Sequence, residues 1–150
     1  METATLARLA KEHSNIVGVK EASGNIAQMM EVIHTLPKNF IVLSGDDNLA
    51  LPLMSLGGKG VISVASNIIP RQMHELTEFA LNGDFDSAMK LHYKLLPLFK
   101  GIFVETNPIP IKSALAMKGL VKEVYRLPLC GMKEENREKL KKVLADLKII

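Results

Sequence analysis

A lysine closes an otherwise apolar run in "NIVGVKEASGN", residues 15–25. Ile16, Val17 and Val19 read as a buried strand, and Lys20 places an ammonium group at its end, where desolvation is costly. A lysine amine attacks a carbonyl only when neutral, and a reference pKa of about 10.4 leaves little of that form at neutral pH. Desolvation among Val17, Val19 and their neighbours would disfavour the charged form, which is how a Schiff-base lysine is activated. The same residues also fit a lysine that snorkels to the surface or pairs with Glu21.

Other chemistry-bearing types are weaker signals. "SGDD" at 44–47 follows a second apolar run. Gly45 there lets a backbone group approach a small molecule closely and turns the chain. Asp46 and Asp47 precede an apolar helical run, where adjacent carboxylates fit helix N-caps better than a metal or acid–base pair. "GGKG" at 57–60 precedes a strand instead of following one and lacks phosphate-loop spacing, so its glycines read as a turn. His13, His34, His74 and His92 show no ligand spacing, which leaves no metal site. Cys130 has no basic partner in sequence and reads as structural.

The elements that must hold Lys20 follow from periodicity. Leu6, Leu9 and Ala10 predict a short amphipathic helix over 3–13. The lysine strand runs from about Asn15 to Lys20, and Asn25 caps a helix to Leu36. "FIVLSG" at 40–45 and "VISVA" at 61–65 are a second and third strand, with a helix to Leu56 between them. From Pro70 onward the pattern is helical: 70–83, 84–103 with a bend near Pro97, 107–120 and 133–148. Apolar strands alternating with helices indicate parallel βα units covered on both faces. Three parallel strands leave two open edges, so the pattern reads as part of a larger sheet or barrel. In a closed barrel the C-terminal strand ends form the site, and Lys20, the "SGDD" turn and the segment 62–66 would meet there.

The 150 residues are 47% hydrophobic and 23% charged, with a formal charge of +3 and an isoelectric point near 9.0. That is an ordinary globular balance. The basic excess gathers in "REKLKKVLADLK" with acids interleaved and few aromatics, a solvated helix face and not a nucleic-acid patch. A single cysteine excludes an intrachain disulfide and fits a reducing, cytoplasmic setting. The N-terminal residues lack a secretory pattern, and no apolar run approaches the roughly 18 residues of a membrane span.

Three separated motifs make the sequence recognisable: "GVKEASGN", "LSGDDNLALPLMSLGGKGVISVASNIIP" and "VETNPIPIKSALAMKGL". In this order they closely resemble the dihydrodipicolinate synthase family, within the Schiff-base-forming pyruvate lyase and aldolase superfamily. The resemblance covers essentially the whole chain. It implies an α/β fold: the C-terminal part of a (β/α)8 TIM barrel, with about three strands, plus a C-terminal helical region. Residues 1–69 would be the partial barrel, and 70–150 the last barrel helix with the helical region. It further implies that Lys20 forms an imine with pyruvate, that the backbone around Gly45 lines the pocket, and that Ile62 contacts the bound pyruvate. The enamine then attacks an aldehyde, L-aspartate 4-semialdehyde, on the route to diaminopimelate and lysine. No metal or organic cofactor is implied, and homotetramers are.

The family's paired threonines, its relay tyrosines and its aldehyde-binding arginine precede the region that this chain resembles. Nothing replaces them: Tyr93 and Tyr125 fall in the helical part. The chain therefore reads as a C-terminal fragment, a truncated product or one piece of a split enzyme, weak or inactive alone, with a complementary N-terminal barrel part or a second copy as partner. Two other functions fit the same residues: a related pyruvate-dependent aldolase for N-acetylneuraminate or 2-keto-3-deoxy sugar acids, and a non-catalytic assembly module.

Overall fold

A computed structural model describes residues 1–150. Its first four elements form one βα unit and the start of another. Helix α1, Thr3–Glu12, buries Leu6 on its apolar stripe. Strand β1, Gly18–Glu21, follows. Helix α2, Ile26–Thr35, opens as expected at Asn25, whose side chain accepts a hydrogen bond from the Gln28 amide at 3.2 Å. Met29 and Val32 face inward from α2, whereas Met30 points out.

Strand β2, Ile41–Ser44, pairs in parallel with β1 in the register Gly18 with Ile41, Val19 with Val42, Lys20 with Leu43 and Glu21 with Ser44. Register partners share a face of the sheet. Val19 and Val42 therefore face α1 and α2, where a small core gathers Leu6, Met29, Val32, Leu36, Val42 and Leu53. Gly18, Lys20, Ile41 and Leu43 occupy the opposite face, which no element of the chain covers.

The third strand expected over 61–65 is reduced to one parallel bridge, Ser44 with Val61. Backbone bonds from Lys59 to Val42, from Ser44 to Gly60 and from Ile62 to Ser44, at 2.8–2.9 Å, hold this segment to β2. The chain then coils into a 3-10 turn at Ala65–Asn67. The cause lies in the Asp47 carboxylate, which captures the amides of Val64 and Ala65 at 3.0 Å and takes them out of any ladder. This corrects the capping assignment too, because neither Asp46 nor Asp47 caps the short helix α3, Ala50–Ser55.

Helices α4, Pro70–Leu81, and α5, Phe85–Gly101, pack against each other. Pro70 stands at the first turn of α4, where its missing N–H costs nothing. Asp84 caps α5 through the Ser87 amide at 3.0 Å. Helix α5 runs on through Pro97, which faces solvent. Helices α6, Ile109–Met117, and α7, Glu134–Asp146, complete the chain. A core of 19 buried residues joins them, and it includes Leu51, Met54, Ala65, Ile68 and Ile69 as well as residues beyond Pro70. Each leucine, isoleucine, methionine or phenylalanine among them contributes about 1.5–3 kcal/mol on burial, so the helices brace the strand ends and do not stand apart from them.

Candidate functional site

Lys20, Gly45 and Ile62 come together at the C-terminal ends of the parallel segments. Parallel pairing puts all three ends on one side, and the Ile62 amide donates to the Ser44 carbonyl at 2.8 Å, one residue before Gly45. The Gly45 amide in turn donates to the Glu21 carbonyl at 2.7 Å, one residue after Lys20. A side chain at position 45 would have its Cβ 3.1 Å from Lys20 Cε and 2.4 Å from Ala22 Cβ. Glycine is thus required here by the close approach of Ala22, and the Lys20 side chain lies beside the same space.

An open groove of about 310 Å³ runs along this face, lined by Val17, Gly18, Val19, Lys20, Ile41, Leu43 and Ile62. Its walls are apolar apart from the lysine. The dry setting expected of Val17 and Val19 is only partly met. Val17 is 62% exposed, Val19 is half-buried, and Lys20 is exposed. The register explains this: Val19 points into the helix-facing core while Lys20 points to the uncovered face.

The pairing of Lys20 with Glu21 does not occur. Glu21 is buried, its carboxylate accepting from the Ser23 amide at 3.2 and 3.3 Å and from Gln28 Nε2 at 3.1 Å. It fastens the turn after β1 to α2 and leaves the Lys20 amine free. Near the amine, burial raises the Asp46 carboxyl above the usual carboxylate range; Asp47 and Glu21 push it further up, and Lys20 opposes them. Asp46 is therefore more readily protonated than an ordinary aspartate.

Asp47, read from sequence as a helix cap, is instead 1% exposed, with Oδ2 on two amides and Oδ1 without a partner. The sequence reading missed a polar knot in the helical region. Ser113 Oγ donates to Glu123 at 2.6 Å and lies 2.9 Å from the Tyr125 hydroxyl, and Arg137 pairs with Glu123 at 2.6 Å. No spacing rule links residues so far apart in sequence. Lys112 donates to the Val124 carbonyl and lies over the Tyr125 ring at 5.3 Å. Cys130 is exposed and so does not serve the core.

Residues 1–147 match the model of the dihydrodipicolinate synthetase family. A 4-hydroxy-tetrahydrodipicolinate synthase of Hydrogenobaculum is 53% identical over 146 residues, covering 97% of this chain and 50% of that protein. The enzyme of that name from Methanocaldococcus jannaschii is 51% identical over 150 residues, covering all of this chain and 51% of its own length. The chain thus spans about half the length of the curated relatives it matches. The crystal structure of dihydrodipicolinate synthase from Aquifex aeolicus superposes with a TM-score of 0.97 at 48% identity, covering 99% of this chain and 50% of the other. A chloride-inhibited dihydrodipicolinate synthase from Acinetobacter baumannii, complexed with pyruvate, superposes at 0.95 and 42% identity, covering 99% and 51%.

Proposed function

The chain belongs to the dihydrodipicolinate synthetase family, and from that premise we propose that it supplies the lysine-bearing part of a pyruvate-condensing site. In this reading the Lys20 amine adds to the keto carbon of pyruvate and water leaves, giving an imine. The imine withdraws electrons from the adjacent methyl, which loses a proton to become an enamine. The enamine carbon then bonds to the aldehyde carbon of L-aspartate 4-semialdehyde, and hydrolysis returns the amine. Gly45 leaves room beside the reacting side chain, and Ile62 offers an apolar wall and backbone groups to the keto acid. All of this uses side chain and backbone alone, with no metal or organic cofactor.

The observation that carries the reading is the 3.1 Å separation between Lys20 Cε and the space a Cβ at position 45 would fill. It joins the reactive residue to the turn that the site needs. The test is incubation with pyruvate, reduction with borohydride, and peptide mass mapping. A reduced pyruvate adduct on Lys20 is the expected result, and an adduct spread over surface lysines would overturn the assignment.

Residues 1–69 hold the reacting groups in this reading, and 70–150 brace them. Condensation at a full rate needs general acid–base partners, typically worth 10²–10⁴-fold, and these would come from a complementary N-terminal barrel part. A specific observation supports such a partner: Ile41 and Ile62 stand 42% and 46% exposed on the uncovered sheet face. Assembly with that part, or into homo-oligomers, in a reducing cytoplasm would bury them and dry the amine. The reading of the chain as a purely structural assembly module rests on the same face; a defined complex that never forms the imine would support it. Turnover of aspartate semialdehyde against sugar acids in the reconstituted complex separates the synthase from related aldolases.

A further inference from the structure

Gly45 and Ile62 lie 17 residues apart in sequence on two different loops, and a binding site needs them fixed relative to each other. Two backbone bonds at Ser44, its amide to the Gly60 carbonyl and the Ile62 amide to its carbonyl, join the segments directly. Beyond Ile62 the ladder ends, and the chain has no backbone bond to the Gly45 turn. The Asp47 carboxylate takes over there. It leaves the same turn two residues after Gly45 and accepts from the amides of Val64 and Ala65, both at 3.0 Å.

Three features mark this as more than a local cap. The reach is 17 and 18 residues, so the bond joins loops instead of closing a turn. Asp47 is 1% exposed, and a buried carboxylate is costly unless hydrogen-bonded. Both bonds fall on Oδ2, while Oδ1 is buried without a partner. A single oxygen thus does the joining. Ala65, at the far end of the link, is fully buried in the main helical core, so the anchor is firm.

We infer that Asp47 is a positioning residue: its carboxylate clamps the segment bearing Ile62 to the Gly45 turn and so sets the width of the keto-acid pocket beside Lys20. The inference rests on the pyruvate reading above. Asp47 does not touch the reacting atoms; it acts through the backbone of 62–65.

The experiment uses the full chain and its Asp47→Ala and Asp47→Asn variants. Amide hydrogen exchange is followed by NMR, and borohydride trapping of pyruvate on Lys20 is measured against pyruvate concentration. The alanine variant should speed exchange at Val64 and Ala65 about tenfold or more while amides in α4 and α5 keep their protection. It should raise the half-saturating pyruvate concentration about tenfold, with the labelling rate at saturation changed by less than about twofold. The asparagine variant, whose carbonyl oxygen can replace Oδ2, should restore both. Equal loss of protection throughout the chain would overturn the proposal, as would unchanged pyruvate dependence in an alanine variant whose 64–65 amides have loosened. Should the unmodified chain show no adduct on Lys20, the pyruvate reading fails, and exchange at Val64 and Ala65 alone decides whether Asp47 is the clamp. Should the alanine variant not fold, slower labelling with unaltered exchange in the asparagine variant would overturn it.

Discussion

The Lys20 side chain lies against the Gly45 backbone so closely that a methyl group on residue 45 would stand 3.1 Å from Lys20 Cε. The same methyl would overlap the Ala22 Cβ at 2.4 Å, a separation that side chains do not adopt. Ala22 follows β1 directly, so relief requires the two strand ends to move apart. Overpacking of this kind costs about 1–3 kcal/mol. Gly45→Ala should therefore lower the urea midpoint and reduce pyruvate labelling of Lys20 about tenfold or more. Unchanged labelling would show that the contact does not shape the site.

Lys20 itself should be nearly silent for stability. It is exposed, makes no ion pair, and lies on the uncovered face. Surface substitutions of this kind change stability by within about 0.5 kcal/mol. Lys20→Ala should abolish pyruvate labelling while leaving the denaturation curve in place. Lys20→Arg keeps the charge but cannot form the imine and should label no better. Loss of folding in either variant would mean that the lysine is a structural element.

The helices and the first two strands were legible because their periodicities are strong: Leu6 with Leu9, Met29 with Val32, and the unbroken "FIVLS". Gly45 was singled out for the turn after β2, and its need for glycine has a cause visible only in space, the approach of Lys20 and Ala22. The third strand misled because "VISVA" has strand composition while its later amides are claimed by Asp47, a side chain from another loop. Capping rules score an aspartate against the helix next to it in sequence, so a carboxylate that caps a turn 17 residues away leaves no local trace. The exposure of Lys20 escaped for a related reason. An apolar run says that a strand is buried, but only the register says which face each residue takes.

Asp46 gives the site a pH dependence with a definite sign. Burial, then Asp47 and Glu21, raise its folded-state carboxyl, against the opposing pull of Lys20. The folded chain therefore holds a proton that the unfolded chain has lost, in the window that starts near the ordinary value of 3.8 and extends upward. Stability from this group is lost as pH rises through that window. Asp46→Asn should flatten the decline and leave the acid side unchanged. Lys20→Ala removes the only opposing cation and should raise the Asp46 midpoint further, read by carboxyl-carbon NMR titration; an unchanged midpoint would show that the two charges do not interact.

Glu123 runs the other way. Burial pushes its carboxyl up, but hydrogen bonds from Ser113, Arg137 and Tyr125 outweigh that and hold it below its ordinary 4.5. A depressed carboxylate contributes stability above the unfolded value, and that contribution disappears as pH falls through the folded one. Glu123→Ala would leave the fully buried Ser113 hydroxyl with Tyr125 alone and strand Arg137. Such loss of a partner costs about 1–3 kcal/mol. The deficit should be clear in urea at pH 7 and shrink below pH 4, and a constant deficit across pH would locate it in packing instead.

His92 should set the acid limit of the helical region. It is 7% exposed on α5 and stacks edge-on against Tyr93 with ring centres 5.6 Å apart; its Nδ1 is buried without a hydrogen-bond partner. Burial lowers its pKa below the ordinary 6.5 because no group nearby stabilises the imidazolium. The unfolded chain then binds a proton more readily than the folded one, so stability rises with pH through the window that ends near 6.5 and falls as pH drops through it. His92→Leu keeps the apolar contacts with Phe99 and discards both the titration and the unpartnered nitrogen. The urea midpoint of the unmodified chain should therefore drop between pH 7.5 and pH 5 more than that of the variant, and the variant should equal or exceed it at pH 7.5. Parallel curves for the two proteins would mean that the ring finds a proton acceptor when charged, and that the acid sensitivity of this helix pair has another source.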